Sequence, residues 1–344
     1  MTKRLALLTI AVFHASLAGE RYQVTLRLPP AGLFAREEME IEFRVEDTSR
    51  PDPLGGFAPV VRAAPDAAIE MPRMPGMPKF SEAAHVEAAP GDYGIHPTFA
   101  HGGEYRLTLR IHPPGGEPFE RTFPLSVMDA KPKAAPARFS LDVAAQPKRP
   151  KAGEPVELTL VVRDRGAAVA SFDTMHERSM HLVIVRKDLG QFAHEHPEPQ
   201  AGGGFRLRYT FAAGGDYRLF ADVAPHGAGA QIVMAKVKVA GPEGAAFDVR
   251  RQPTMEALPA RKTIPLALSV PHDIEPYLGA AGHLMIVHED GETFVHSHPA
   301  EDGAAPELQF FVRFPKPGLY RGWLQYQRAG KVETHEMVLR AEEK

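Results

Sequence analysis

The 344-residue chain reads as an all-β protein of three tandem β-sandwich domains that follow an N-terminal signal peptide. Three observations predict this. Strand-like segments recur every 8–12 residues, at 39–45, 105–111, 156–162, 182–185, 217–221 and 264–270, and most alternate with period two and end at Gly, Pro or Asp. No stretch carries an apolar helical stripe over 12 residues. One sequence unit occurs three times, and repeats of this length bury a core only as whole domains.

The repeat is visible in Tyr93-Gly-Ile-His-Pro-Thr-Phe99…Gly103-Glu-Tyr105-Arg106, Phe205-Arg-Leu-Arg-Tyr-Thr-Phe211…Gly215-Asp-Tyr217-Arg218 and Leu308-Gln-Phe-Phe-Val-Arg-Phe314…Gly318-Leu-Tyr320-Arg321. Each copy has Phe to Gly in four residues and Gly to Tyr in two, which fits a strand, a Gly-bearing turn and a strand opening on Tyr. Repeats of about 100 residues with seven or so short strands have the size of immunoglobulin-like sandwiches. Polar, Pro-rich linkers at 129–137 and 240–245 set the domains at 20–128, 138–240 and 246–341. The 30 glycines and 33 prolines favour turns and short strands over long helices.

Residues 1–18 form the signal peptide. Lys3 and Arg4 supply the positive start, residues 5–13 the apolar run, and Ser16-Leu17-Ala18 the small-residue cleavage site. Nine apolar residues are too few to span a bilayer, which takes about 20, so no membrane span is expected after cleavage. The expected location is periplasmic or secreted. A formal charge of −3 gives no basic field for nucleic acid. The absence of cysteine excludes thiolate metal sites, iron–sulfur clusters, Cys nucleophiles and disulfides, so each domain is expected to rely on its own core.

The most informative segments are His181-Leu-Val-Ile-Val…Phe192-Ala-His194-Glu-His196-Pro197 and His283-Leu-Met-Ile-Val…Phe294-Val-His296-Ser-His298-Pro299. In both, the second histidine stands 13 positions after the first and Asp188 or Asp290 stands in the turn. A hairpin turning at 187–190 opposes Val185 to Phe192, Val183 to His194 and His181 to His196. Alternation then puts three imidazoles on one face, with directly opposed Cβ atoms about 5 Å apart. His181, His194 and His196, and likewise His283, His296 and His298, are therefore candidate metal ligands. Imidazole suits Cu(II), Zn(II) and Ni(II), and the Irving–Williams order favours copper, with zinc second. Met175, His176 and Met180 precede His181, whereas the third domain has Tyr277, Leu278 and Gly282 there. His176 joins the candidates.

The first domain lacks this hairpin and carries Met71-Pro-Arg-Met74-Pro-Gly-Met77-Pro78, followed by His85, His96 and His101. In polyproline II, with three residues per turn, Met71, Met74 and Met77 share an edge. Thioethers in that array suit Cu(I), with His85 a further donor, while an apolar strap over the sandwich explains the same run.

The Met-Pro run with Gly103-Glu-Tyr-Arg-Leu-Thr-Leu109 resembles the small secreted YtkA-like domains of bacteria. The second and third domains resemble uncharacterised secreted bacterial heavy-metal-handling proteins with repeated His-Leu-x-Ile-Val…His-x-His-Pro units. The resemblance implies metal binding at His181, His194, His196 and their third-domain equivalents.

The expected function is periplasmic metal binding, as copper buffering or delivery. The alternative is a non-catalytic structural or interaction module whose partner is another envelope protein. Enzymatic activity is not expected: Glu195 points to the opposite face, Asp188 lies at the far end, and no nucleophile elbow, P-loop or dinucleotide fingerprint occurs.

Overall fold

The computed structural model describes residues 12–15, 21–29, 32–53, 56–72, 79–87, 89–129, 138–226, 228–248, 250, 253–299 and 306–343. Among these residues every regular element is a β-strand. Of the signal peptide only Val12–Ala15 is described, as a strand antiparallel to Tyr22–Arg27; the rest lies outside the described residues. The chain divides into two compact units, Met1–Arg138 and Phe139–Lys344.

The first unit is a sandwich of two sheets. One is centred on Tyr22–Arg27 and Ile41–Pro51, the other on Gly103–Ile111 and Phe119–Met128. Val24, Leu26, Phe43, Leu107, Leu109 and Leu125 alternate inward along these strands to fill the core. Buried Asp92 is held by Arg27 at 2.6 Å and Arg44 at 3.1 Å, so this interior carboxylate is paired.

The second unit contains the other two repeats. In each, one sheet carries the histidine hairpin. The first of these sheets orders Phe172–Asp173, Gly215–Pro225, His181–Arg186 and Phe192–Glu195, with Gln231–Val239 also on Gly215–Pro225. The second orders Leu258–Pro259, Lys331–Glu342, Gly318–Arg328, His283–His288 and Phe294–Ser297. The facing sheets are built on Pro155–Asp164 with Gly204–Thr210, and on Thr263–Ser269 with Glu307–Arg313.

His181–Arg186 and His283–His288 are buried at every position. Leu182 and Ile184 face their own sandwich, as do Leu284 and Ile286. The alternate residues, Val183, Val185, Met285 and Val287, form a separate core with Leu189, Phe220, Phe294 and Trp323. The two hairpin sheets therefore pack on each other, and the repeats add a shared core to the one each keeps inside its own sandwich. The packing is reciprocal, as in a two-fold interface. Phe192 stacks on Trp323 with centroids 4.3 Å apart, and Phe294 stacks on Phe220 at 4.8 Å. Arg218 bonds Glu292 across the interface at 2.8 Å, and its counterpart Arg321 donates to the Leu189 carbonyl.

Candidate metal centre

The hairpin register is Leu182↔Glu195, Val183↔His194, Ile184↔Ala193 and Val185↔Phe192. Its counterpart is Leu284↔Ser297, Met285↔His296, Ile286↔Val295 and Val287↔Phe294. Arg186 N–H donates to Gln191 O at 3.1 Å, and Leu189, at φ 59°, closes the turn onto Arg186 O at 2.7 Å. His181, His194 and His196 each offer a ring nitrogen within 4.8 Å of the others, and so do His283, His296 and His298.

Both triads lie on the face that packs against the other repeat, so they meet. His181 is 5.5 Å from His283 and 5.6 Å from His296, centroid to centroid; His194 is 5.7 and 5.8 Å from the same two. Distances within a triad run from 4.4 Å (His296–His298) to 5.9 Å (His283–His296). His176 completes the cluster from a turn in which it and Glu177 take left-handed φ of 44° and 65°, a conformation uncommon for non-glycine residues. Its ring stacks on His298 of the other repeat at 3.7 Å.

The outer nitrogens are mostly committed. His181 Nε2 donates to Met175 O at 3.0 Å, and His283 Nε2 donates to Tyr277 O at 3.0 Å. His194 Nδ1 donates to Gln325 Oε1 at 2.9 Å; the Gln325 amide is oriented by its own bond to Thr334. His296 Nδ1 donates to Asp222 Oδ2 at 2.7 Å. Carbonyl and carboxylate oxygens only accept, so each of these rings carries its proton on the outside and turns a lone pair inward. Asp222 and Gln325 are the residues that sequence reasoning missed. They stand directly opposite His181 and His283 on the neighbouring strand, which the strand alternation could have indicated.

Two consequences follow at the centre. His181 Nδ1 and His194 Nε2 lie 3.2 Å apart with both protons spent elsewhere, so two lone pairs face each other. His176 Nε2, His196 Nε2 and His296 Nε2 are buried without a hydrogen-bond partner. Buried polar atoms are rarely left so. Burial, reinforced by neighbouring imidazoles, holds His181 down to about 4 and His176 and His196 down to about 3. Burial also drives His194, His283 and His298 well below the ordinary value. His176, His181, His194, His196, His283 and His298 are thus neutral donors at pH 7, and the donor set fits a borderline transition-metal ion.

The remaining candidates are placed differently. Met71 is half-buried and packs against the first unit's core, consistent with the strap reading, and its Cε blocks the Cβ direction of Gly103. Met74 and Met77 lie outside the described residues. His85 Nε2 meets Glu87 Oε1 at 2.6 Å and its ring stacks on His96 at 4.6 Å. Burial pulls the His85 pKa down, but Glu87 together with Glu40 and Glu82 outweighs it and the net shift is upward. Glu40, Glu42 and Glu87 bring carboxylate oxygens within 4.8 Å of one another, and burial pushes Glu42 well up. Glu195 pairs with Leu182, on the sandwich side of the hairpin, away from the rings.

A family model described as Domain of unknown function (DUF8832) matches residues 138–241 and again 248–343. A model described as YtkA-like matches residues 17–110, the stretch holding the Met-Pro run. No curated protein is similar to the chain. Among solved structures, the Escherichia coli adhesin FdeC is 13% identical, with 96% of this chain and 99% of that one covered and a TM-score of 0.23. A Ca2+-stabilized adhesin with which an Antarctic bacterium binds ice is 8% identical over 90% and 70%, with a TM-score of 0.24. The chicken CNTN1 FN1–FN3 domains are 12% identical over 92% and 97%, with a TM-score of 0.18.

Proposed function

We propose that this chain, which belongs to the DUF8832 family, is a periplasmic metal-binding protein that buffers or delivers copper, with zinc the second choice. The observation that carries this reading is the buried pair His181 Nδ1 and His194 Nε2, lone pair against lone pair at 3.2 Å. In an interior site that arrangement is repulsive without a cation and becomes a ligand pair with one. Six histidines in two triads supply the donors, and Asp222, Gln325 and the Met175 and Tyr277 carbonyls orient them.

Neutral imidazoles suit both oxidation states of copper, so a protein with this site can carry the metal through a change in redox conditions. Binding weakens in acid, as the pH falls toward 4 and protons begin to compete for the rings. The reading is non-enzymatic: Asp222, the carboxylate at the cluster, is engaged with His296 and is not free to act as a base.

The test is calorimetric titration of the full chain with Cu(II), beside a variant with His181, His194 and His196 changed to Ala. The variant is expected to bind less copper per chain, with its fold checked by circular dichroism. A second variant, Gln325→Ala, keeps all six rings and is expected to bind with reduced affinity. Equal stoichiometry in wild type and triple variant would end this reading and leave a non-catalytic interaction module of the cell envelope.

A further inference from the structure

The four rings nearest the local two-fold, His181, His194, His283 and His296, have six mutual centroid distances between 5.4 and 5.9 Å. Four points so spaced form a near-regular tetrahedron. In that figure the midpoint of the His181–His194 edge lies closer to the midpoint of the His283–His296 edge than any two of the rings lie to each other. The two triads are therefore neighbours at ligand scale, with no side chain's width of insulation implied between them.

The halves are also unequal. His176 belongs to the second domain, yet it lies 3.7 Å from His298 and 5.6 Å from His283, both of the third, and 6.4 Å from His181 of its own. Its counterpart in the third domain is Leu278, which takes the same left-handed turn with φ 52° and offers no donor. The third-domain triad thus has a fourth imidazole beside it, crossing from the other repeat. It also has the anionic outer partner, since Asp222 backs His296 while the neutral Gln325 backs His194. A carboxylate behind an imidazole raises its basicity as a ligand.

We propose that the seven histidines form one dinuclear centre shared by the two repeats: a four-nitrogen position of His283, His296, His298 and His176 beside a three-nitrogen position of His181, His194 and His196. The four-nitrogen position fills first. The three-nitrogen position keeps an open coordination place, as three-ligand sites do, and takes a small exogenous ligand there. Two divalent ions against the single carboxylate of Asp222 leave excess positive charge in a buried site, so that ligand is a small anion such as hydroxide or chloride.

This inference rests on the metal-binding reading, and electron paramagnetic resonance separates the two. Apo full-length protein is titrated with Cu(II), and the spin count is compared with copper retained after desalting. The expected result is full spin intensity through the first equivalent. At the second equivalent, intensity per copper falls and a half-field transition appears. His176→Leu, which copies the third-domain residue, is expected to weaken the first equivalent about tenfold in chelator competition, with the second little changed. Retention of two equivalents with full, uncoupled intensity, or of only one equivalent, would overturn the dinuclear centre while leaving metal binding intact. Retention of none would overturn the metal-binding reading itself.

Discussion

In the second domain His194 leans on an amide, Gln325; in the third, His296 leans on a carboxylate, Asp222. Both partners come from the opposite repeat, and both occupy the same strand position, facing the first histidine of their own hairpin. The hairpin register is alike in the two halves, and what surrounds the rings differs. One duplicated surface thus keeps its histidine array while the partners behind it differ, so a change of one outer residue is a way to alter the rings without removing one.

The largest effect on this comparison comes from separating the halves. Trp323→Ala removes the ring that Phe192 stacks on and opens the shared core, and is expected to destabilise the second unit by roughly 3–5 kcal/mol. Phe220→Ala, its reciprocal, is expected at the lower end of that range. Urea unfolding of the apo protein reads both. A loss below about 1 kcal/mol for Trp323→Ala would mean the repeats do not rely on the shared core.

A smaller effect distinguishes the two outer partners. Asp222→Asn is expected to lower the affinity for the first copper equivalent about 10–100-fold. Gln325→Glu, which makes the two halves alike, is expected to raise the affinity for the second. Chelator competition measures both, and unchanged affinities in the pair would show that Asp222 and Gln325 do not tune the rings.

A third prediction concerns acid. The folded apo protein holds His181 at about 4 and His176 and His196 at about 3, against about 6.5 in the unfolded chain. Between these values only the unfolded chain takes up protons. The stability linked to these groups is therefore complete above pH 6.5 and is lost as pH falls toward 4 and then 3. The urea midpoint of the apo protein should drop between pH 7.5 and 5, and the drop should shrink in the His181, His194 and His196 triple variant. A midpoint equal at both pH values would show that the rings are not buried neutral.

The hairpins were legible in the sequence because period-two alternation and a short turn fix register, and the register places Val183 opposite His194 and Met285 opposite His296. The location of the histidine face was not legible. Partners across the shared core, such as Asp222 with His296 at a separation of 74 residues or His194 with Gln325 at 131, share no local pattern. A signal was present nonetheless: Leu-Val-Ile-Val and Leu-Met-Ile-Val are continuous apolar runs, the mark of a strand covered on both faces. Phe220 and Trp323 add large rings on the same outward side. His176 reaches the cluster through an irregular turn with positive φ, which strand periodicity does not describe.

The most direct test of the account is X-ray absorption at the copper edge of the loaded full chain. A shell dominated by nitrogen near 2.0 Å, with imidazole outer-shell scattering that is lost when the six triad histidines are replaced by Ala, is the predicted result. A shell dominated by oxygen or sulfur, or one unchanged in that variant, would contradict it.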